Sequence, residues 1–246
     1  MPLLILACGK TEKQSKQVAR EPSEIIRKSI PTNDFSLVLD DMTIKEEANQ
    51  IDHRHKYKVL ELIGDSLHTT SKGWQSVNKT FFVKHQNDLG MEIMSRHNGK
   101  SSFTAQTVGF GWAIGNEKHG EWVDASKDST ATNTAGTTHH RTWRTHSTSP
   151  FFWLWLGSRR SIFRNDYNSY RSYNGAGQSY YGKNSSNNTY AYGTRSDYQK
   201  KTRPSFFSRR QNNSSSWNSL NKKSSRNSSR YNNGSSTRSR SGGIGK

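Results

Sequence analysis

The sequence is short of several things that a chain of 246 residues usually has. It has one cysteine and five prolines. A disulfide framework is therefore excluded, since a bridge within one chain needs two thiols. Hydrophobic residues make up 29% of the chain, well under the roughly 45–50% of an ordinary globular protein. A single core spanning the whole length is not expected. No apolar run approaches the ~20 residues of a membrane-spanning helix, so a polytopic membrane protein is excluded as well. Acidic residues are scarce in one half only. Of 37 basic and 19 acidic residues, 18 and 2 lie from Phe151 onward. That half carries +16 of the net +18. The first 150 residues are close to neutral.

What is present divides the chain into segments. Residues 35–125 hold the pattern of a fold. Phe35-Ser-Leu-Val-Leu and Tyr57-Lys-Val-Leu-Glu-Leu-Ile read as strands. Thr80–His85 and Met91–Arg96 read as a hairpin around Gln86–Gly90. Val108–Gly115 reads as a further strand whose glycines suggest bulges. Glu121-Trp-Val completes the sheet, and one helix is expected within Ile44–Ile51 or Asp65–Val77. These runs are short, β-branched or aromatic, and bounded by Gly, Asn and Asp. The expected fold is a small mainly β, or α+β, domain with a long disordered, low-complexity C-terminal tail.

Residues 9–34 read as a polar tether with a short helix over Ser23–Ile30, Pro22 standing near its start. Residues 126–150 are rich in Thr, Ser and His and read as a linker. Residues 151–156, Phe-Phe-Trp-Leu-Trp-Leu, are too short to cross a bilayer. They suit a docking strand, an interfacial segment with Trp153 and Trp155 at headgroup depth, or a partner patch. Residues 157–246 are expected to be disordered. Leu, Ile and Val occur there only as Ile162, Leu220 and Ile244, while nine of the ten tyrosines fall there among Ser, Asn and Arg. Such a composition buries too little apolar surface to offset chain entropy.

Catalytic and metal motifs are weak. There is no Gly-x-Ser-x-Gly elbow, phosphate-binding loop or His-Glu-x-x-His helix. Gly109-Phe-Gly-Trp lacks the third glycine of a dinucleotide site. His53 and His55, beside Asp52, would share a strand face. The cations Arg54, Lys56 and Lys58 argue against metal and for a solvated strand edge. His139, His140 and His146 lack the cysteines and tight spacing of a zinc site. Asp40-Asp41 and Glu46-Glu47 read as solvated acids. No enzyme activity and no cofactor is expected.

The N-terminus carries the one recognisable motif. The apolar run Leu3–Ala7 leads through Ile5, Leu6 and Ala7 to Cys8. It resembles the lipobox of bacterial lipoprotein precursors. The resemblance implies diacylation of Cys8 and removal of the residues before it. Gly9, which is not Asp, would permit export to an outer membrane in a diderm organism. A complete signal peptide needs a basic region and an apolar stretch of 7–15 residues. Residues 1–8 are accordingly expected to be the end of a signal whose start lies upstream.

These observations lead to an expectation for function: a lipid-anchored bacterial cell-envelope protein of structural or adhesive type. Cys8 would hold membrane lipid, and Trp153 and Trp155 would touch membrane or partner. Arg159, Arg160, Arg209 and Arg210 would bind envelope polyanions such as lipid headgroups, lipopolysaccharide or peptidoglycan. The alternative is an intracellular nucleic-acid-binding protein using the same Arg/Ser/Tyr-rich tail.

Overall fold

The computed structural model describes residues 13–124, 141–149, 161–184 and 188–220, with the backbone alone at Asn184. The protein is mainly β. Its centre is a pair of long antiparallel strands, β2 (Phe35–Glu46) and β3 (Gln50–Ile63), joined by a tight turn at 47–49. A short β1 (Gln14–Ser15) pairs with β3 in parallel, and β4 (Ser66–Val77) pairs with it antiparallel. On the other side, β5 (Glu92–His97) pairs with β2, and β6 (Lys100–Ser102) pairs with β5.

The period-2 pattern of β2 sorts its side chains. Phe35, Leu37 and Leu39 are fully buried on one face, together with Tyr57 and Val59 of β3. Then the period breaks. A bulge falls between Leu39 and Asp41, and the next fully buried residue is Met42, three positions on. The extra residue lets Asp40 and Asp41, neighbours in sequence, both point away from this core.

Helices close the core. In α1 (Pro22–Ser29), Ile26 is buried, as is Ile30 just beyond the helix and one turn on. The described part of the expected tether is thus part of the fold. Asn78 ties it down. Its amide donates to the Val18 carbonyl at 3.1 Å and to Glu21 Oε1 at 2.8 Å, and its oxygen accepts from the Val18 N–H at 3.0 Å.

Four expected elements differ. Thr80–His85 is not a strand but most of α2 (Lys79–His85). Helical spacing puts Phe82 and His85 on one buried face, and a short apolar run is ambiguous between the two periods. The helix expected within Ile44–Ile51 or Asp65–Val77 is in neither place: the first spans the end of β2, the turn and the start of β3, and the second is β4. Val108–Gly115 is a run of turns. Glu121–Val123 lies in β7 (Gly120–Asp124), which pairs with β8 (Arg141–Thr145) in a separate ribbon. The described end of the expected linker is therefore strand.

The segment from 157 onward differs most. Residues 161–184 and 188–220 are folded. They form α3 (Arg164–Gly175), a small ribbon of β9 (Lys183–Asn184) and β10 (Thr189–Tyr190), and the helices α4 (Asp197–Thr202), α5 (Pro204–Asn212) and α6 (Ser214–Ser219). Aromatic rings replace the missing aliphatics. Phe206, Trp217 and Leu220 join the main core. Tyr170 and Tyr192 join Phe110 and Ile114 in a second cluster. Each large ring buries far more area than a methyl-bearing side chain, and three tyrosine hydroxyls of this segment find partners. Tyr170 donates to Gln106 Oε1 at 2.5 Å, Tyr180 to Asp166 at 2.8 Å and Tyr181 to Asp88 at 2.6 Å. Residues 221–246 lie outside the described residues.

Beyond Leu39, β2 has no strand on its β5 side among the described residues, because β5 begins opposite Val38. The C-terminal helices cover that edge. Arg203 donates to the Asp40 carbonyl and, at 3.1 Å, to Asp40 Oδ1. Arg209 reaches both oxygens of Asp41 at 2.7 Å, Asn213 donates to the Ile44 carbonyl at 3.1 Å, and Ser216 donates to Glu46.

Phe206→Ala is expected to destabilise the protein by about 3–5 kcal/mol, the usual cost of emptying a buried aromatic site. Urea unfolding at neutral pH measures it, and an unchanged midpoint would mean that the C-terminal helices do not belong to the core.

Candidate functional site

Cys8, Trp153, Trp155, Arg159 and Arg160, with His139 and His140, lie outside the described residues. Arg209 and Arg210 lie within them, and both are engaged inside the protein. Arg209 is neutralised by Asp41 and stands 5.6 Å over the Trp74 ring. Arg210 stands 5.0 Å over the Trp217 ring. Burial and then nearby Arg195 lower its pKa. Arg209 has its anion already, so it adds little to an external anion site.

His53 and His55 are not on a solvated edge. β3 is an interior strand here, and both side chains point into the core, 2% and 0% exposed. His53 packs on Phe82 at 5.2 Å, and His55 on Phe82 at 5.1 Å with its Nδ1 3.1 Å from the Tyr57 hydroxyl. Arg54, on the opposite face, pairs with Asp52 at 2.5 Å. Among the described residues no group of three or more His, Cys, Asp or Glu side chains is placed to hold a metal.

On the second face of the sheet lies a buried polar network. Glu92 accepts from Ser36 Oγ at 2.8 Å, from Trp112 Nε1 at 3.2 Å and from Gln106. Burial raises its pKa in spite of these donors. His97 Nε2 lies 3.0 Å from Ser36 Oγ, its Nδ1 lies 3.8 Å from Asp34, and its ring stacks on Trp112 at 3.8 Å. Ser, His and Asp are the residue types of a nucleophilic relay. Ser36 is completely buried, and its proton is directed at Glu92. A hydroxyl that no substrate reaches is a structural group.

The open site is elsewhere, between the β7–β8 ribbon and α3. It is a cleft of about 640 Å³. Trp122 and Trp143 are direct cross-strand partners, with ring centroids 5.1 Å apart and a steep tilt. Tyr167 approaches Trp122 at 5.6 Å. Two glycines permit this closeness. A Cβ on Gly115, at φ +84°, would stand 2.8 Å from the Tyr167 hydroxyl. One on Gly120 would stand 2.5 Å from the Arg144 carbonyl oxygen and 2.6 Å from the Trp143 ring.

Cations line the same cleft. Arg164, Tyr167 and Arg171 recur at i, i+3 and i+7, one face of α3. Arg164 lies 4.9 Å over the Trp122 ring, a favourable cation–π distance. Neither Arg164 nor Arg171 has an ion-pair partner among the described residues. The nearby acids are partly spent, since Glu121 holds Arg144 at 2.6 Å and Asp124 holds Arg141 at 3.3 Å. The Trp143 indole N–H is closed off from solvent, with no hydrogen-bond acceptor among the described residues. Aromatic faces beside unpaired guanidinium groups can stack flat rings and clamp phosphates or carboxylates.

The sequence reading scattered these residues over three segments: Trp122 in the domain, Trp143 in the linker, and Arg164, Tyr167 and Arg171 in the tail. Two signals were available. One is the alternation Arg141-Thr-Trp-Arg-Thr, and the other is the helical spacing of 164, 167 and 171. No protein-family model matches the chain, and no curated protein or solved structure matches it.

The buried histidines give the fold an acid limit. Burial lowers the pKa of His53 from 6.5 to about 4, with Lys79 adding to the shift and Asp52 opposing it. Burial also lowers His97 to about 4, outweighing Asp34. Both are neutral when folded and become charged on unfolding below about pH 6.5. The unfolded chain then binds more protons, so stability falls as pH drops from 6.5 toward 4. The expected loss is of order 3 kcal/mol for each group. Unfolding free energies from pH 7 to 4.5 measure it, and His97→Gln is expected to flatten the slope.

Proposed function

We propose that the protein is a lipid-anchored cell-envelope protein of structural or adhesive type that binds an extended polyanion. The observation that carries the binding reading is the aromatic–arginine cleft of Trp122, Trp143, Tyr167, Arg164 and Arg171. It pairs stacking faces with the guanidinium groups of Arg164 and Arg171, which have no ion-pair partner among the described residues, while Glu117, Glu121 and His146 stand at its wall. The reading is of binding rather than catalysis. The anchor rests on the sequence Ile5-Leu6-Ala7-Cys8. Two acyl chains hold a protein stably at a membrane where one does not. No helix among the described residues is long and apolar enough to cross a membrane. The strong net charge adds long-range attraction to any polyanion.

The competing reading is a nucleic-acid-binding protein inside the cell. The cleft's chemistry suits bases as well as sugars, so compartment separates the two. Expression with native upstream DNA and labelled palmitate is expected to give a labelled, detergent-partitioning protein, with both properties lost in Cys8→Ser. Absence of label would remove the envelope reading and leave nucleic acid.

Tryptophan fluorescence titration tests the cleft itself, using a teichoic-acid-type polyphosphate, a carboxylate polymer and oligo-dT as probes. Binding is expected to weaken with salt. Arg171→Ala, at an exposed helical position, is expected to reduce the log–log salt slope by about one contact's worth. An unaltered slope and affinity would remove the cleft from the binding surface.

A further inference from the structure

A second, smaller cavity shares no lining residue with the cleft. It opens between the second face of the central sheet and the chain around 107–108, 162 and 191–203. Its volume is about 210 Å³. That exceeds the roughly 150 Å³ of an apolar cavity that takes up benzene. The deep walls are apolar and rigidly placed. Val38 and Leu60 project from β2 and β3, Met91 stands just before β5, and Ala191 and Tyr192 also line the cavity; all five are buried.

One end is polar and charged. Lys58 and Arg203 line it, and Lys58 reaches solvent with its side chain 40% exposed. The carboxylate between them is Asp40, which the β2 bulge turns toward this layer. Arg203 bonds Asp40 Oδ1 at 3.1 Å, Lys58 lies 3.8 Å from the same oxygen, and Lys56 lies 3.8 Å from Oδ2. Three cations thus surround one carboxylate, and two positive charges are left over. Arg203 is held in place by Gln199 at 2.7 Å as well as by Asp40. Lys58 has the longer contact and the freer side chain. Farther in, the hydroxyl oxygen of Thr107 is closed off from solvent, with no hydrogen-bond partner among the described residues.

We propose that this cavity binds a small monocarboxylate with an apolar body of about ring size. The apolar part fills the pocket between Val38, Leu60, Met91 and Tyr192. The carboxylate lies at the mouth against Lys58, within reach of Arg203. Charge complementarity selects an acid over a neutral molecule of the same shape. The cavity volume matches an apolar body of about ring size. The site is separate from the aromatic–arginine cleft, and its fate does not depend on the polyanion reading.

Calorimetric titration of the full chain with phenylpropanoate, phenylpropanol and acetate tests the site. Saturable one-to-one binding of phenylpropanoate is expected. Phenylpropanol is expected to bind about fivefold more weakly or worse, the value of one partly exposed charge pair. Acetate is expected not to compete at matched concentration. Lys58→Gln is expected to narrow the difference between acid and alcohol while leaving the unfolding midpoint within experimental scatter. Ala191→Leu, which narrows the cavity, is expected to weaken both probes; its melting curve confirms that it folds. Equal binding of acid and alcohol, full competition by acetate, or unchanged acid binding in Lys58→Gln would each overturn the assignment. So would a phenylpropanoate signal that never saturates.

Discussion

The bare edge of β2 is the constraint around which the rest is arranged. From Asp40 onward this strand has β3 on one side and, among the described residues, no strand on the other. Unpaired carbonyls at the edge of a buried sheet are costly, and an open edge invites pairing with another chain. The protein covers it with side chains from a later part of the sequence. Arg203 takes the Asp40 carbonyl, Asn213 takes the Ile44 carbonyl, and Arg209 and Ser216 take the carboxylates of Asp41 and Glu46. The bulge after Leu39 makes this possible, because it turns two adjacent acids toward the helices that bring the arginines.

That clamp explains why the charge asymmetry of the sequence does not mean two independent halves. The near-neutral first half contributes carboxylates at positions where the basic second half contributes guanidinium groups. Once α5 and α6 are fixed along β2, Phe206, Trp217 and Leu220 complete the core that the sheet and α1 begin. The preceding segment is drawn over the opposite face, where Tyr170 reaches Gln106 and Tyr192 packs near Phe110. Both candidate sites follow from this second layer. The aromatic–arginine cleft lies at its outer margin, where α3 meets the β7–β8 ribbon. The apolar cavity lies beneath it, against the sheet.

Much of the sheet was legible in the sequence. Phe35–Leu39, Tyr57–Ile63 and Met91–Arg96 show alternation that strands require, and α1 was marked by Pro22 and the polar run before it. Other elements were not legible, for identifiable reasons. Thr80–His85 is a short apolar run whose period cannot be read from six residues. His53 and His55 carry polar neighbours in sequence, and only the insertion of β3 between β2 and β4 makes their face an interior one. The folding of 161–184 and 188–220 was hidden by composition, since counts of Leu, Ile and Val do not register a core built from Tyr, Phe and Trp. The cleft was hidden because its five residues come from three segments that sequence separates by long intervals.

The sequence by itself determined the mainly β character, the position of the central strands and the concentration of positive charge after residue 150. Those properties are local: they depend on residue type and on spacing along the chain. Tertiary structure alone decided which charges are satisfied internally and which face outward. Arg209 and Arg171 look alike in sequence, both flanked by polar residues in a basic stretch. One meets Asp41 across the fold and is neutralised. The other stands at the mouth of an aromatic cleft. Whether a charge has a partner is a matter of distance in space, and the long-range pairing of a strand edge with a helix sets that distance.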